Sequence, residues 1–287
     1  MPGMRDIKRR IRSIRNTQQI TKAMKMVAAA KLRKAQAGVV AARPYADKVR
    51  EVMERLVQGA QVFNHPLLDV RPRQAVGYVV LTGDRGLCGG YNANIIRLTE
   101  QRLRAEEEAK AALVPVGRKG RDYFRRRRYE IIKSFTELGD NPNFIQAREL
   151  ARELVAMYQD GVFDEVNLVY TEFISAIRQR PVVVRLLPVA PPEGEDQGAG
   201  EQVEYLYEPS PAGVLDTLLP RYVETQVYRA LLEAKASEHG ARMTAMGSAT
   251  DNAAEMIDKL TLSFNRARQA AITKEINEVV SGAQALQ

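Results

Sequence analysis

The chain has 287 residues, 45% of them hydrophobic, and a formal net charge of +8 from 43 lysines and arginines against 35 aspartates and glutamates. That is an ordinary composition for a folded protein of one or two domains with a leaning toward acidic partners. One cysteine excludes an internal disulfide, two histidines far apart argue against a zinc site, and no stretch approaches the ~18 uncharged apolar residues of a membrane span. The N-terminus lacks the apolar core of a secretory signal, so any membrane association is expected to be indirect.

Residues 5–58 read as one long helix, interrupted in sequence only by Pro44. Ile7, Ile11 and Ile14 form an apolar stripe that Ala28, Leu32, Ala35 and Val39 continue less purely. Between Met1 and Ala46 the only acid is Asp6, beside twelve lysines and arginines. Three readings of this basic helix follow: one half of a coiled coil, a track for nucleic-acid phosphates, or an Arg-rich transit peptide. The first aromatic is Tyr45, which leaves nothing earlier to stack on bases, and the stripe itself asks for a partner helix.

The middle of the chain changes period. Strands are expected at 76–82, 113–116, 130–135, 165–173 and 181–189, and helices at 92–110, through Tyr123 and Phe124, and at 143–158. Strand alternating with helix predicts a Rossmann-like, mostly parallel α/β sheet with helices on both faces and an antiparallel hairpin at one edge. The stretch 190–202, rich in proline and glycine, is expected to be an exposed linker. Arg125-Arg126-Arg127-Arg128 is either a solvated helix end or a docking patch for an acidic partner.

The segment Thr82-Gly83-Asp84-Arg85-Gly86-Leu87-Cys88-Gly89-Gly90-Tyr91-Asn92 follows a strand and opens a helix, the setting in which backbone N–H groups cradle phosphate. It matches neither G-x-G-x-x-G nor the P-loop pattern, so a structural βα turn carried by Gly83, Gly86, Gly89 and Gly90 stands beside nucleotide binding as the reading of it. Cys88 has no histidine nearby in sequence and is expected to be a small buried thiol.

From Pro211 the chain reads as a second helix of roughly 70 residues, about 100 Å at 1.5 Å per residue. Its stripe from Met246 runs Thr250, Ala253, Ile257, Leu260, Phe264, Ala267 and Ala271 in alternating steps of four and three, the seam spacing of a coiled coil. The two end helices are therefore expected to pair antiparallel as a rod projecting from the α/β domain. The implied division is 1–60 for the N-terminal coiled-coil helix, 61–204 for the α/β domain with its linker, and 205–287 for the C-terminal coiled-coil helix.

Several strings carry a resemblance. Arg5-Asp6-Ile7-Lys8-Arg9-Arg10-Ile11 and the run from Asn16 to Lys31 open the chain, and the Gly-rich turn stands at its centre. Tyr205-Leu206-Tyr207-Glu208-Pro209-Ser210, Ala236-Ser237-Glu238-His239, Arg242-Met243-Thr244-Ala245-Met246, Ala249-Thr250-Asp251-Asn252-Ala253 and the run from Asn265 to Glu275 follow in order. Over essentially its whole length the chain resembles the γ subunits of F-type ATP synthases. The resemblance implies a non-catalytic rotor without a cofactor of its own. Its paired end helices would turn inside a hexamer of α and β subunits, and its α/β domain would bind the ε subunit and the membrane ring of c subunits. It also implies that Arg268 and Gln269 touch the catch loop of a β subunit, and that Met24 lies opposite Gln269, Thr273 and Glu275 in a region sensitive for coupling. For Met24, plain packing in the coiled-coil seam is the other reading. With Met1 directly before the family's start, the expected location is the cytoplasmic face of a bacterial cell membrane, as a peripheral protein that binds no nucleic acid. Gly240 and Gly247, inside the last helix, are expected to soften it.

Overall fold

A computed structural model of the chain describes residues 4–58, 65–106, 109–189 and 210–284. Helix α1 spans Met4–Gln58, strand β1 Ala75–Leu81, α2 Tyr91–Ala105, β2 Lys110–Val116, α3 Arg118–Arg126, α4 Phe144–Gln159, β3 Glu165–Phe173, β4 Gln179–Leu187 and α5 Pro211–Gln284. The expected linker at 190–202 and the string from Tyr205 to Pro209 lie outside the described residues.

Both long helices run through a proline. A proline has no N–H to donate to the carbonyl four residues earlier. For Pro44 that carbonyl belongs to Val40 and for Pro220 to Asp216, both on exposed stretches of helix where water can take the bond. Helix α4 begins with a capping box: the Asn143 side chain accepts from the Gln146 N–H at 2.8 Å, and the Gln146 side chain accepts from the Asn143 N–H at 3.1 Å.

The sheet has the order β2-β1-β3-β4. β1 pairs parallel with β2 and β3, and β3 pairs antiparallel with β4 at the edge. β1 is the central strand and is buried on both faces, as its near-continuous run of apolar residues demands. One face packs Leu81, Leu168 and Leu187 against α4 and α5, with Leu154, Tyr158, Leu219 and Val223 in the same core. The other packs Val76, Tyr78 and Val80 against Ile95 of α2 and Phe124 of α3. Each such fully buried side chain contributes roughly 1.5–3 kcal/mol.

Two expected elements differ. Helix α2 stops at Ala105, not 110, because Lys110 already belongs to β2 and pairs with Ala75. Residues 130–135 do not form a strand; they touch β2 only at the bridges Leu113 to Ile131 and Val116 to Phe135. Pro115 is the reason. Leu113 donates to the Glu130 carbonyl and accepts from Ile132, but Pro115 has no N–H to continue the ladder. The neighbouring chain then slips by one residue, so that Phe135 both donates to the Pro115 carbonyl and accepts from Gly117.

By density of contacts the chain divides into two units, one formed by residues up to Ala28 with those from Met243 on, the other by Ala29–Arg242. The boundary cuts through α1 and α5, not at their ends. In the first unit α1 and α5 run antiparallel, with the Thr21 and Thr250 hydroxyls 2.8 Å apart and Gly247 facing Lys25. The α1 stripe is Ile7, Ile11, Ile14, Gln18, Thr21, Met24 and Ala28, each buried or half-buried among exposed neighbours, and the α5 stripe follows the expected residues from Met246 to Ala271. In the second unit, α1 buries Leu32, Ala35, Val39, Ala46 and Val49, and Gly38 approaches Leu232 closely.

Candidate functional site

An open α/β sheet binds ligands in the crevice at the carboxyl ends of its strands. Here that crevice lies above Thr82 and Gly83, and the chain fills it with itself. Asp84 presents a carboxylate oxygen to the Arg118 N–H at 2.9 Å, and the Gly83 carbonyl accepts from Lys119 N–H at 3.1 Å. The N-terminus of α3, the natural seat for a phosphate, thus already holds an anion from the chain. The Gly83 N–H donates to Asn92 Oδ1 at 2.8 Å, and the Thr82 hydroxyl accepts from Gly120 N–H at 2.9 Å. Gly117, at φ +103°, lies so close to the Thr82 carbonyl that a Cβ would come within 2.2 Å of it.

Helix α5 closes the crevice from above. Ser237 donates to the Thr171 carbonyl at 3.0 Å, and the Glu238 carboxylate sits over Gly83, 3.0 Å from where a Cβ would stand. Glu238 accepts from Lys235 at 3.0 Å and from Arg242 at 2.7 Å, and Arg242 also donates to the Gly86 carbonyl at 3.3 Å. Burial alone would raise the Glu238 carboxyl, but Lys235 and Arg242 outweigh it and hold it below the usual carboxylate range. Close by, Lys31 of α1 binds Asp140 at 2.6 Å and lowers its carboxyl. The space left beside Thr82, Asp84, Tyr91 and Lys235 is about 20 Å³, room for a water and not for a nucleotide. Within the turn, Gly89 takes φ 56° and Gly83 admits Glu238. Cys88 is buried, and burial pushes its thiol up, away from a nucleophilic thiolate.

The residues expected to meet partner chains lie in the first unit. Met24 is half-buried on the α1 stripe. The pairs Thr21–Thr250 and Lys25–Gly247 place it level with Gly247, whereas Gln269 lies nineteen residues beyond Thr250, about 28 Å farther along α5. Met24 is thus not opposite Gln269, Thr273 and Glu275. In an antiparallel pair, α5 runs toward its C-terminus as α1 runs back to its start, so those three stand level with the beginning of α1 or past it. Arg268, Gln269, Thr273 and Glu275 are all exposed, and Thr273 donates back to the Gln269 carbonyl at 3.0 Å. Around them Ile272, Ile276, Val279 and Val280 are exposed as well, at 46–72%. An open groove of about 530 Å³ between α1 and α5 is lined by Gln18, Gln19, Lys22, Lys25, Met26, Thr250 and Asp251.

Asp84, Glu238 and Arg242 lie in strings quoted above that assign them no role, and Lys235 lies in none of those strings. A signal was present: three charges at spacings of three and four on one helix face, in a stretch that is otherwise largely apolar.

These features define a class: α/β proteins whose terminal helices pair antiparallel and whose C-terminal helix closes the crevice of a mostly parallel sheet. A family model described as ATP synthase matches residues 3–286. The chain is 68% identical over 287 residues to the ATP synthase gamma chain of Moorella thermoacetica and 60% identical over 291 residues to that of Heliobacterium modesticaldum, in each case across 100% of both chains. The chain belongs to the ATP synthase γ chain family. Among solved structures it is similar to a chain of the central stalk/c-ring structure of the Tetrahymena thermophila mitochondrial ATP synthase, with 27% identity and a TM-score of 0.60 over 80% of this chain and 99% of that one. It shares the fold of a chain in the rotor of the Euglena gracilis mitochondrial ATP synthase, with 22% identity and a TM-score of 0.67 over 94% and 98%.

Proposed function

We propose that this chain is the central rotor shaft of an F-type ATP synthase, coupling proton-driven rotation of a c-subunit ring to ATP synthesis and hydrolysis in β subunits without catalysing either itself. The observation that carries the reading is the seam of alternating four- and three-residue steps from Met246 to Ala271, in a chain 68% identical along its full length to a γ chain. A stripe of this kind stiffens a helix pair while leaving the outer faces free to differ. Different faces presented to identical β subunits bias each toward a different conformation, which is what a mechanical coupling between distant sites requires. The exposed apolar end of α5, with Arg268, Gln269, Thr273 and Glu275, is the surface we assign to the β catch loop, and the stretch of α1 around Met24 is a second coupling surface. The α/β domain would serve the ε subunit and the c ring. No described helix is long and apolar enough to cross a membrane, and the reading places the chain on the cytoplasmic face of a bacterial cell membrane through its partners.

The test is co-expression with α and β subunits, purification, and an ATPase assay with and without this chain. One copy per complex with chain-dependent ATPase is the expected result. Failure to assemble, with binding of nucleotide or DNA by the isolated chain, would overturn it.

A further inference from the structure

Between Arg118 and Arg128 the sequence holds seven lysines and arginines against one acid, Asp122. Three of the seven are used internally. Arg118 pairs with Glu137 and Arg121 with Asp122, while Arg127 stacks 4.0 Å over the Tyr123 ring and lies 3.9 Å from Glu100. Lys119, Arg125, Arg126 and Arg128 are exposed and make no ion pair among the described residues. Helix α2 extends the face with Arg97 and Arg104, both exposed, one turn to either side of Glu100.

A cation or two in the last turn of a helix offsets its dipole, but adjacent guanidinium groups repel one another, so stability alone does not call for this cluster. Its base is rigid. Phe124 is fully buried between Tyr123 and Tyr129, edge-on to each at 5.4 Å, and both tyrosine hydroxyls donate to Glu100, at 3.2 and 3.3 Å. Arg128 ends the turn at φ 60°, in the left-handed region. Charges anchored in this way lose little freedom on binding.

We propose that the α2–α3 face docks an acidic segment of another protein chain, a row of aspartates or glutamates on a subunit that turns together with this one. The proposal rests on the rotor reading, since a surface on a rotor keeps a lasting contact only with a partner that rotates with it. Guanidinium forks fit carboxylates bidentately. The aromatic side chains of α3 are committed to the core and to Glu100, which leaves no apolar wedge for a lipid headgroup region and no free ring for a nucleic-acid base.

The test places the photocrosslinker p-benzoylphenylalanine at Lys119 or Arg126 in the full chain, assembled in its native complex in membranes, with Glu149 on α4 as a control position. The expected adduct is a single protein subunit through a peptide rich in aspartate and glutamate. Its yield should fall at least about tenfold in an R125E/R128E background or at high salt, and persist in R125K/R128K. Adducts to lipid, to nucleic acid or to a stationary subunit, or none above the control, would overturn the proposal. Assembly with α and β and chain-dependent ATPase should survive the charge reversals; if the unmodified chain itself fails to assemble, it is the rotor reading that falls.

Discussion

Arg242 donates to Glu238 at 2.7 Å across one turn of α5, with both side chains nearly enclosed and Gly86 and Gly83 beneath them. Removing one partner of a buried pair strands the other charge, which costs about 3–5 kcal/mol. Glu238→Ala, which takes the carboxylate from both Lys235 and Arg242, is therefore expected to lower the unfolding free energy by about that amount, read by denaturant titration with unchanged slope, and Arg242→Ala by less, because Lys235 still pairs with Glu238. A loss under about 1 kcal/mol would mean that water reaches the pair.

The same pair sets an acid dependence. The Glu238 carboxyl is lowered in the folded chain relative to its ordinary value of 4.5. Its contribution is fully present above that value and lost as pH falls through the lower, folded one. Wild type is expected to lose stability more steeply than Glu238→Gln as pH falls below about 4.5, and parallel stability profiles for the two would refute the assignment.

Gly117 separates two costs of a side chain. Its backbone is left-handed and a Cβ would overlap the Thr82 carbonyl, so Gly117→Ala should destabilise by more than about 3 kcal/mol. Gly139 shares the left-handed backbone, at φ +75°, with open space around it, and Gly139→Ala should cost only about 1 kcal/mol. Thermal melting of both variants measures the difference.

The two glycines inside α5 should behave oppositely. A Cβ at Gly247 meets only the flexible Lys25 side chain at 3.5 Å, so Gly247→Ala is expected to stabilise by up to about 1 kcal/mol. At Gly240 it would press on the Gln179 amide at 3.0 Å, which donates to the Ala176 carbonyl, and the helical gain should vanish or reverse. A stabilised Gly240→Ala would show that the β3–β4 hairpin yields easily.

Met24 is half-buried on the α1 stripe, with Lys22 and Lys25 on the same turn of helix. Met24→Lys adds a third cation there, able to pair with an acidic β loop, and is expected to lower ATP-driven proton pumping several-fold relative to ATP hydrolysis in the assembled complex. Met24→Leu should leave the ratio unchanged. Equal coupling in both variants would assign Met24 to packing alone.

Periodicity and punctuation determined the elements. The four- and three-residue steps of α5, the capping residues Asn143 and Gln146, and the apolar run of β1 are local patterns, and local patterns survive in a linear string. Neighbours far apart in sequence belong to the tertiary structure. The slip at Pro115, the carboxylate of Asp84 at the start of α3, and Glu238 over Gly83 each depend on which strand or helix lies alongside. So does the level of Met24, which the antiparallel register sets against Gly247 and not Gln269. A sequence carries the period of a helix, but not the offset at which two helices meet.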